Sequence, residues 1–156
     1  MNLRTRLSRS NGYRLLGMYD ESILILEDIP LGKERWHPLV VEARYNTYRD
    51  AKEWTLAMIM AKLKHESKPS SLEWLLNYAD GHHQMGDTEK VIACLRDPKI
   101  PQFEDAEYLF RLGKYHAILG NVEEAKNLVK QAIKKDAKYK LEFVEDSAFE
   151  LIWESF

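Results

Sequence analysis

From Leu109 to Ile133 the chain alternates between buried-type and polar residues with a helical period, and the rhythm breaks once, at Gly120. Leu109, Leu112, Gly113 and His116 share one face before the break; Val122, Ala125, Leu128, Val129 and Ala132 share another after it. Two helices joined by a tight turn are predicted, with Gly120 supplying the backbone freedom of a helix end. Asn121 is placed to cap the second helix, with Glu124 completing a capping box. Gly113 falls inside the first helix, where glycine costs up to about 1 kcal/mol against alanine, so a close helix approach is the expected compensation.

The same helix, turn, helix pattern occurs four times. Its turns fall at LGMYDES (16–22), DAKEWTLA (50–57), MGDTEKV (85–91) and LGNVEEA (119–125). With Gly17, Lys52, Gly86 and Gly120 aligned, the steps are 35, 34 and 34 residues, the period of stacked helical pairs. In this register Ser22, Ala57, Val91 and Ala125 form a column of small or moderate side chains, suited to close packing within each pair. Tyr13, Tyr48, His82 and His116 form a second column. Pro98 stands where the fourth unit has Ala132, so the second helix of the third unit should stop early. Ser70 with Glu73 is expected to cap the helix that follows the SKPSS linker.

These positions resemble the tetratricopeptide (TPR) repeat family. Leu112, Gly113, Gly120, Ala125 and Ala132 carry the resemblance in the fourth unit; Leu75, Ala79, Gly86 and Val91 do so in the third. The second unit has Tyr48, Trp54 and Ala57 but Lys52 where glycine is usual, and the first has Tyr13, Gly17 and Tyr19. The closing YKLEFVEDSAFELIWESF is similar to the end of many small bacterial TPR proteins. The resemblance implies an all-α, right-handed α-solenoid of antiparallel helix pairs. About four repeats are expected, near 3–37, 38–71, 72–105 and 106–137, within one domain covering 1–156 and closed by a C-terminal capping helix at 138–156.

Composition narrows the function. Twenty-three basic and 25 acidic residues give a net charge of −2, which offers no electrostatic reason for a nucleic-acid partner. The only cysteine, Cys94, rules out an intramolecular disulfide and reads as a small core hydrophobe. No apolar run is long enough to cross a bilayer, and MNLRTRLSRSNGYRLLG lacks the apolar core of a secretory signal, so a cytoplasmic protein is expected. Charge is polarised along the chain: Arg4, Arg6, Arg9 and Arg14 open it, while Glu142, Glu145, Asp146, Glu150 and Glu154 close it. Weak head-to-tail association is the sharper reading of that polarity.

No catalytic or cofactor constellation emerges. His82 and His83 are adjacent and point about 100° apart on a helix, which does not suit joint metal ligation. No phosphate-binding glycine loop and no assembled Ser, His and acid set are present, so neither enzymatic activity nor a cofactor or metal is expected. Trp36, Trp54, Trp74 and Trp153 lack the interleaved basic stripe that a base-stacking surface needs.

In a TPR-like solenoid the first helix of each pair lines the concave groove. Here that face carries Glu42, Asn46 and Arg49, then Glu73, Asn77, Asp80 and His83, then Glu107, Phe110, Arg111 and Lys114. Mixed charge around Leu76 and Phe110 suits a protein or peptide ligand held by polar contacts with apolar anchors. Family members that bind chaperone tails use a clamp of two lysines, two asparagines and an arginine. The matching positions are Glu42, Asn46, Asn77, Glu107 and Arg111; glutamate replaces both lysines, which disfavours an acidic tail and favours a neutral or basic segment. The expected role is a non-catalytic adaptor or scaffold. The alternative is self-assembly, a weak homodimer contact through the apolar segment that contains Phe143, Val144, Phe149, Leu151, Ile152, Trp153 and Phe156. That segment is expected to fold back on the helix of Leu128 and Val129.

Overall fold

The computed structural model describes residues 1–154 and 156, and ten α-helices and no strand occur among them. The chain divides into two compact units, Met1–Met85 and Gly86–Phe156. The first contains α1 (Leu3–Leu15), α2 (Tyr19–Glu27), a 3-10 turn (Lys33–Trp36), α3 (Pro38–Asp50), α4 (Trp54–Ser67) and α5 (Leu72–Gln84). The second contains α6 (Thr88–Leu95), α7 (Ala106–Ile118), α8 (Val122–Lys135), α9 (Tyr139–Glu145), a 3-10 turn (Ser147–Phe149) and α10 (Glu150–Trp153).

Consecutive helices pack in pairs, α1 on α2, α3 on α4 and α7 on α8. The residues aligned by the sequence period share one backbone state: φ is +74° at Gly17, +60° at Lys52, +83° at Gly86 and +78° at Gly120. Three of these turns also close the same way. The N–H of Met18 donates to the Tyr13 carbonyl at 2.9 Å, that of Glu53 to Tyr48 at 2.8 Å, and that of Asn121 to His116 at 2.8 Å. Each is the longer hydrogen bond of a Schellman motif, which satisfies a carbonyl left over at the helix end. Lys52 is the one non-glycine residue with positive φ among those described. A left-handed side chain costs about 1–2 kcal/mol, part of which glycine returns through its flexible unfolded state, so Lys52→Gly is expected to stabilise the protein by about 0.5–1 kcal/mol. A urea midpoint that stays put or falls would contradict this.

The small-residue column is buried throughout, at Ser22, Ala57, Val91 and Ala125. Gly113 is held where α8 comes close: a Cβ there would lie 3.0 Å from Val129 Cγ2 and 3.2 Å from Leu128 Cβ. Gly81 does the same for α4 and α5, since its Cβ would lie 2.9 Å from Met58 Cβ. The helix α6 ends at Leu95, ahead of Pro98, whereas α8 runs on to Lys135. Neither expected capping box forms. Asn121 turns its amide to His116 Nδ1 at 3.2 Å, and Glu124 pairs with Arg96 at 2.5 Å. The helix α5 starts after Ser71, whose side chain makes no cap bond, so Ser70 and Glu73 do not act as a box.

In the first unit, one core cluster joins Leu26, Ile29 and Val40, and another joins Val41, Tyr45, Ala57, Met60, Ala61 and Trp74. Tyr45 and Trp74 meet edge to face at 5.1 Å, bringing α3 beside α5. A chain of buried hydroxyls ties α1, α2 and α3. Thr47 donates to the Ala43 carbonyl at 2.9 Å, which leaves Ser22 to donate to Thr47 (3.0 Å) and Ser10 to donate to Ser22 (2.8 Å).

Candidate functional site

Seven of the predicted groove residues belong to the first unit. Proline at the first position of α3 starts that helix, and the helical period then sets Val40, Val41, Arg44 and Tyr45 inward and Glu42, Asn46 and Arg49 away from the core. Glu42 and Asn46 line a cleft of about 210 Å³ between α3 and α1, together with Asn11 and Arg14. Asn77 and Asp80, one helix on, adjoin Arg49 and Tyr45 in a smaller cleft. Asn46 and Asn77 are half-buried, and their amides make no hydrogen bond among the described residues. Glu73 is exposed; His83 is half-buried and engaged in a contact of its own.

Charges around these amides are internally matched. Asp50 receives Arg14 from α1 on one oxygen and Arg49 on the other, the latter at 2.8 Å. Burial pushes the Asp50 carboxyl upward, but the bonds from Arg49 and Arg14 outweigh it and hold its pKa below the ordinary value. Glu42 pairs with Lys64 at 3.1 Å, and the Lys64 ammonium sits over the Trp74 ring at 4.8 Å. Burial raises the Tyr45 phenol, partly offset by Arg49, whose guanidinium lies 5.5 Å from the ring centre. The outcome is a surface of small clefts in which Arg14, Arg49, Glu42 and Lys64 are paired, the amides of Asn46 and Asn77 are open to solvent, and the exposed Glu73 has no basic partner among the described residues.

The four remaining groove residues lie in the second unit, and two of them are not available to a ligand. Phe110, expected as an apolar anchor, is 3 % exposed, its ring covered by Tyr139 at 4.7 Å and Phe149 at 5.1 Å. Leu76, the other expected anchor, is 6 % exposed in the first unit. Lys114 is paired with Asp146 at 2.6 Å. Burial raises the Asp146 carboxyl, but Lys114 and the Ala148 N–H draw its pKa below the usual value. Glu107 and Arg111 face each other at 3.8 Å across one helical turn. The C-terminal segment therefore packs on α7 as well as on the expected α8, and it takes the α7 side chains a ligand would have used.

Two features escaped the sequence reading. Arg44 is buried and reaches Glu27 at 3.1 Å and the carbonyls of Leu26 and Arg35 at 3.3 Å each. Its place one turn after Val40, on an otherwise apolar face, was the available signal. A larger apolar cleft of about 650 Å³ lies among Tyr19, Ile23, Leu24, Tyr48 and Leu56. Its carboxylates, Asp20 and Glu53, stand at the N-terminal ends of α2 and α4, where they offset the helix dipoles.

Reactive groups are muted. The Cys94 thiol is pushed up to about 11 by burial, with Asp97 adding to the effect, so it is a poor nucleophile. His116 sits below its ordinary pKa because burial and then Arg96 disfavour its charged form, and its Nε2 is buried without a partner. Among the described residues, no three His, Cys, Asp or Glu side chains are grouped to hold a metal ion, and no helix is long and apolar enough to cross a membrane. No family model and no curated protein matches the chain.

Proposed function

We propose that the protein is a non-catalytic adaptor that binds a peptide segment of a partner protein on the α1, α3 and α5 face of its first unit. The fold is read as a right-handed solenoid of about four TPR-like repeats, whose first helices form the binding face. The observation that carries the reading is the pair of half-buried amides of Asn46 and Asn77, which have no hydrogen-bond partner among the described residues and are open to solvent. A side-chain amide offers one acceptor and two donors, the complement of an extended peptide backbone, and such contacts do not depend on the ligand's sequence. Arg14, Arg49, Glu42 and Lys64 are already paired, and Glu73 has no basic partner among the described residues, so the field on this face favours a neutral or mildly basic segment.

The test uses full-length protein against an array of unrelated extended peptides. Asn46→Ala with Asn77→Ala should leave the fold intact, with a stability change within about 0.5 kcal/mol as expected for surface positions. Peptide capture should fall by about tenfold, the equivalent of one or two neutral hydrogen bonds. Unchanged capture by a folded double variant would remove the groove from consideration. Phe110→Ala is unsuitable as a binding probe, because that ring is part of the interior.

A further inference from the structure

The N-terminal and C-terminal helices carry opposite, unspent charge next to exposed aliphatic side chains. Before Asp20 the chain has four arginines and no acid; after Lys140 it has five acids and no base. Part of each set is used internally, since Arg6 pairs with Asp28, Arg14 with Asp50, and Asp146 with Lys114. Among the described residues, Arg4 and Arg9 have no acidic partner, and Glu142, Glu145, Glu150 and Glu154 have no basic one. Arg9 lies over the Tyr13 ring at 5.9 Å, a contact that leaves its charge uncompensated.

The apolar groups follow the same division. Leu15 ends α1 and Leu16 follows it; they are 69 % and 75 % exposed and lie within about 20° of Arg4 and Arg9, respectively, around the helix axis. On α9 and α10, Leu141, Val144 and Leu151 are 63 %, 60 % and 71 % exposed and alternate with the free glutamates. The inward side of that segment is fixed by Phe143, Phe149 and Ile152, and the Trp153 indole donates to the Phe143 carbonyl at 2.8 Å. The acidic, aliphatic side is thus a presented surface on an ordered support.

We infer that the α9 and α10 surface of one molecule is the docking site for α1 of a second copy. Arg4 and Arg9 of one copy meet Glu142, Glu145, Glu150 and Glu154 of the next, and the exposed leucines of both surfaces are covered. The two surfaces differ, so the contact is heterologous, and repeating it adds copies to a ring or an open chain. Exposed ion pairs hold weakly and are screened by salt, so association is concentration-dependent and strongest at low ionic strength.

Charge exchange between the surfaces tests this with full-length protein. The mass of the wild type by sedimentation should rise with concentration in about 0.05 M salt and approach that of a monomer in about 0.5 M. Arg4→Glu with Arg9→Glu should weaken association at least tenfold, as should the fourfold variant Glu142→Lys, Glu145→Lys, Glu150→Lys and Glu154→Lys. Each variant alone presents like charge on both surfaces, whereas a mixture of the two restores opposite charge at every contact and should recover association. Wild type that stays monomeric at all concentrations in low salt overturns the inference. So does association that survives either reversal, or a mixture that remains as weak as its components.

Discussion

Glu27→Ala is expected to destabilise the protein by about 2–4 kcal/mol, a large effect for a residue on the rim of its fold. Its cause is Arg44. That side chain is only 4 % exposed, and burial, followed by the nearby Arg35 charge, pulls its pKa below the ordinary arginine value. Glu27 is shared, accepting from Arg44 at 3.1 Å and from Arg35 on its other oxygen. Without it two guanidinium groups confront each other with no carboxylate between them. The full cost of breaking a buried pair, about 3–5 kcal/mol, is reduced because Glu27 is itself 39 % exposed and water can partly replace it. Arg44→Met removes the buried charge together with its need for a partner, and should cost about 1–2 kcal/mol, chiefly because the Arg35 carbonyl loses its donor while that of Leu26 keeps the Ile29 N–H. In that background Glu27→Ala should add less than about 1 kcal/mol. Denaturant unfolding of the two single variants and the double variant measures the coupling, and additive losses would show that Glu27 does not neutralise Arg44.

What the sequence disclosed and what it hid divide along physical lines. Turns were legible because a left-handed backbone position demands a particular residue or a cost, and the period placed Gly17, Lys52, Gly86 and Gly120 in equivalent positions before any geometry was known. Close helix contact at Gly113 and the early end of α6 were legible for the same reason, since missing volume and a missing N–H act locally. Side-chain hydrogen bonding was much less so. Asn121 has several partners within reach, and it chose the imidazole of His116 over its own helix end. The register placed Phe110 and Lys114 on the ligand-facing side of α7 but carried no information about what the last residues of the chain would cover. Aromatic side chains dense enough to require burial were visible in FVEDSAFELIWESF, but the choice of α7 in addition to α8 depends on packing that no linear pattern encodes.

Phe149→Ala is the sharpest test of that packing, with an expected loss of about 3–5 kcal/mol, the range for removing a buried phenylalanine. The ring is fully buried, and its centre lies 5.1 Å from those of both Phe110 and Phe143. Removing it leaves a void beside the Phe110 and Phe143 rings, so a cavity penalty adds to the lost transfer energy. Phe110→Ala should cost a similar amount, and the double variant should lose less than the sum, because both substitutions open the same space. Unfolding of the second unit should shift in all three variants, and amide exchange should accelerate in Tyr139–Glu145 before it does in α7 and α8, as expected of a segment held mainly by these rings. Deleting residues 141–156 should have the severest effect, exposing the Phe110 ring and the covered side of α8 together and producing aggregation. A Phe149→Ala protein that unfolds within about 0.5 kcal/mol of wild type would mean the segment merely rests on α7, leaving that helix accessible to a ligand.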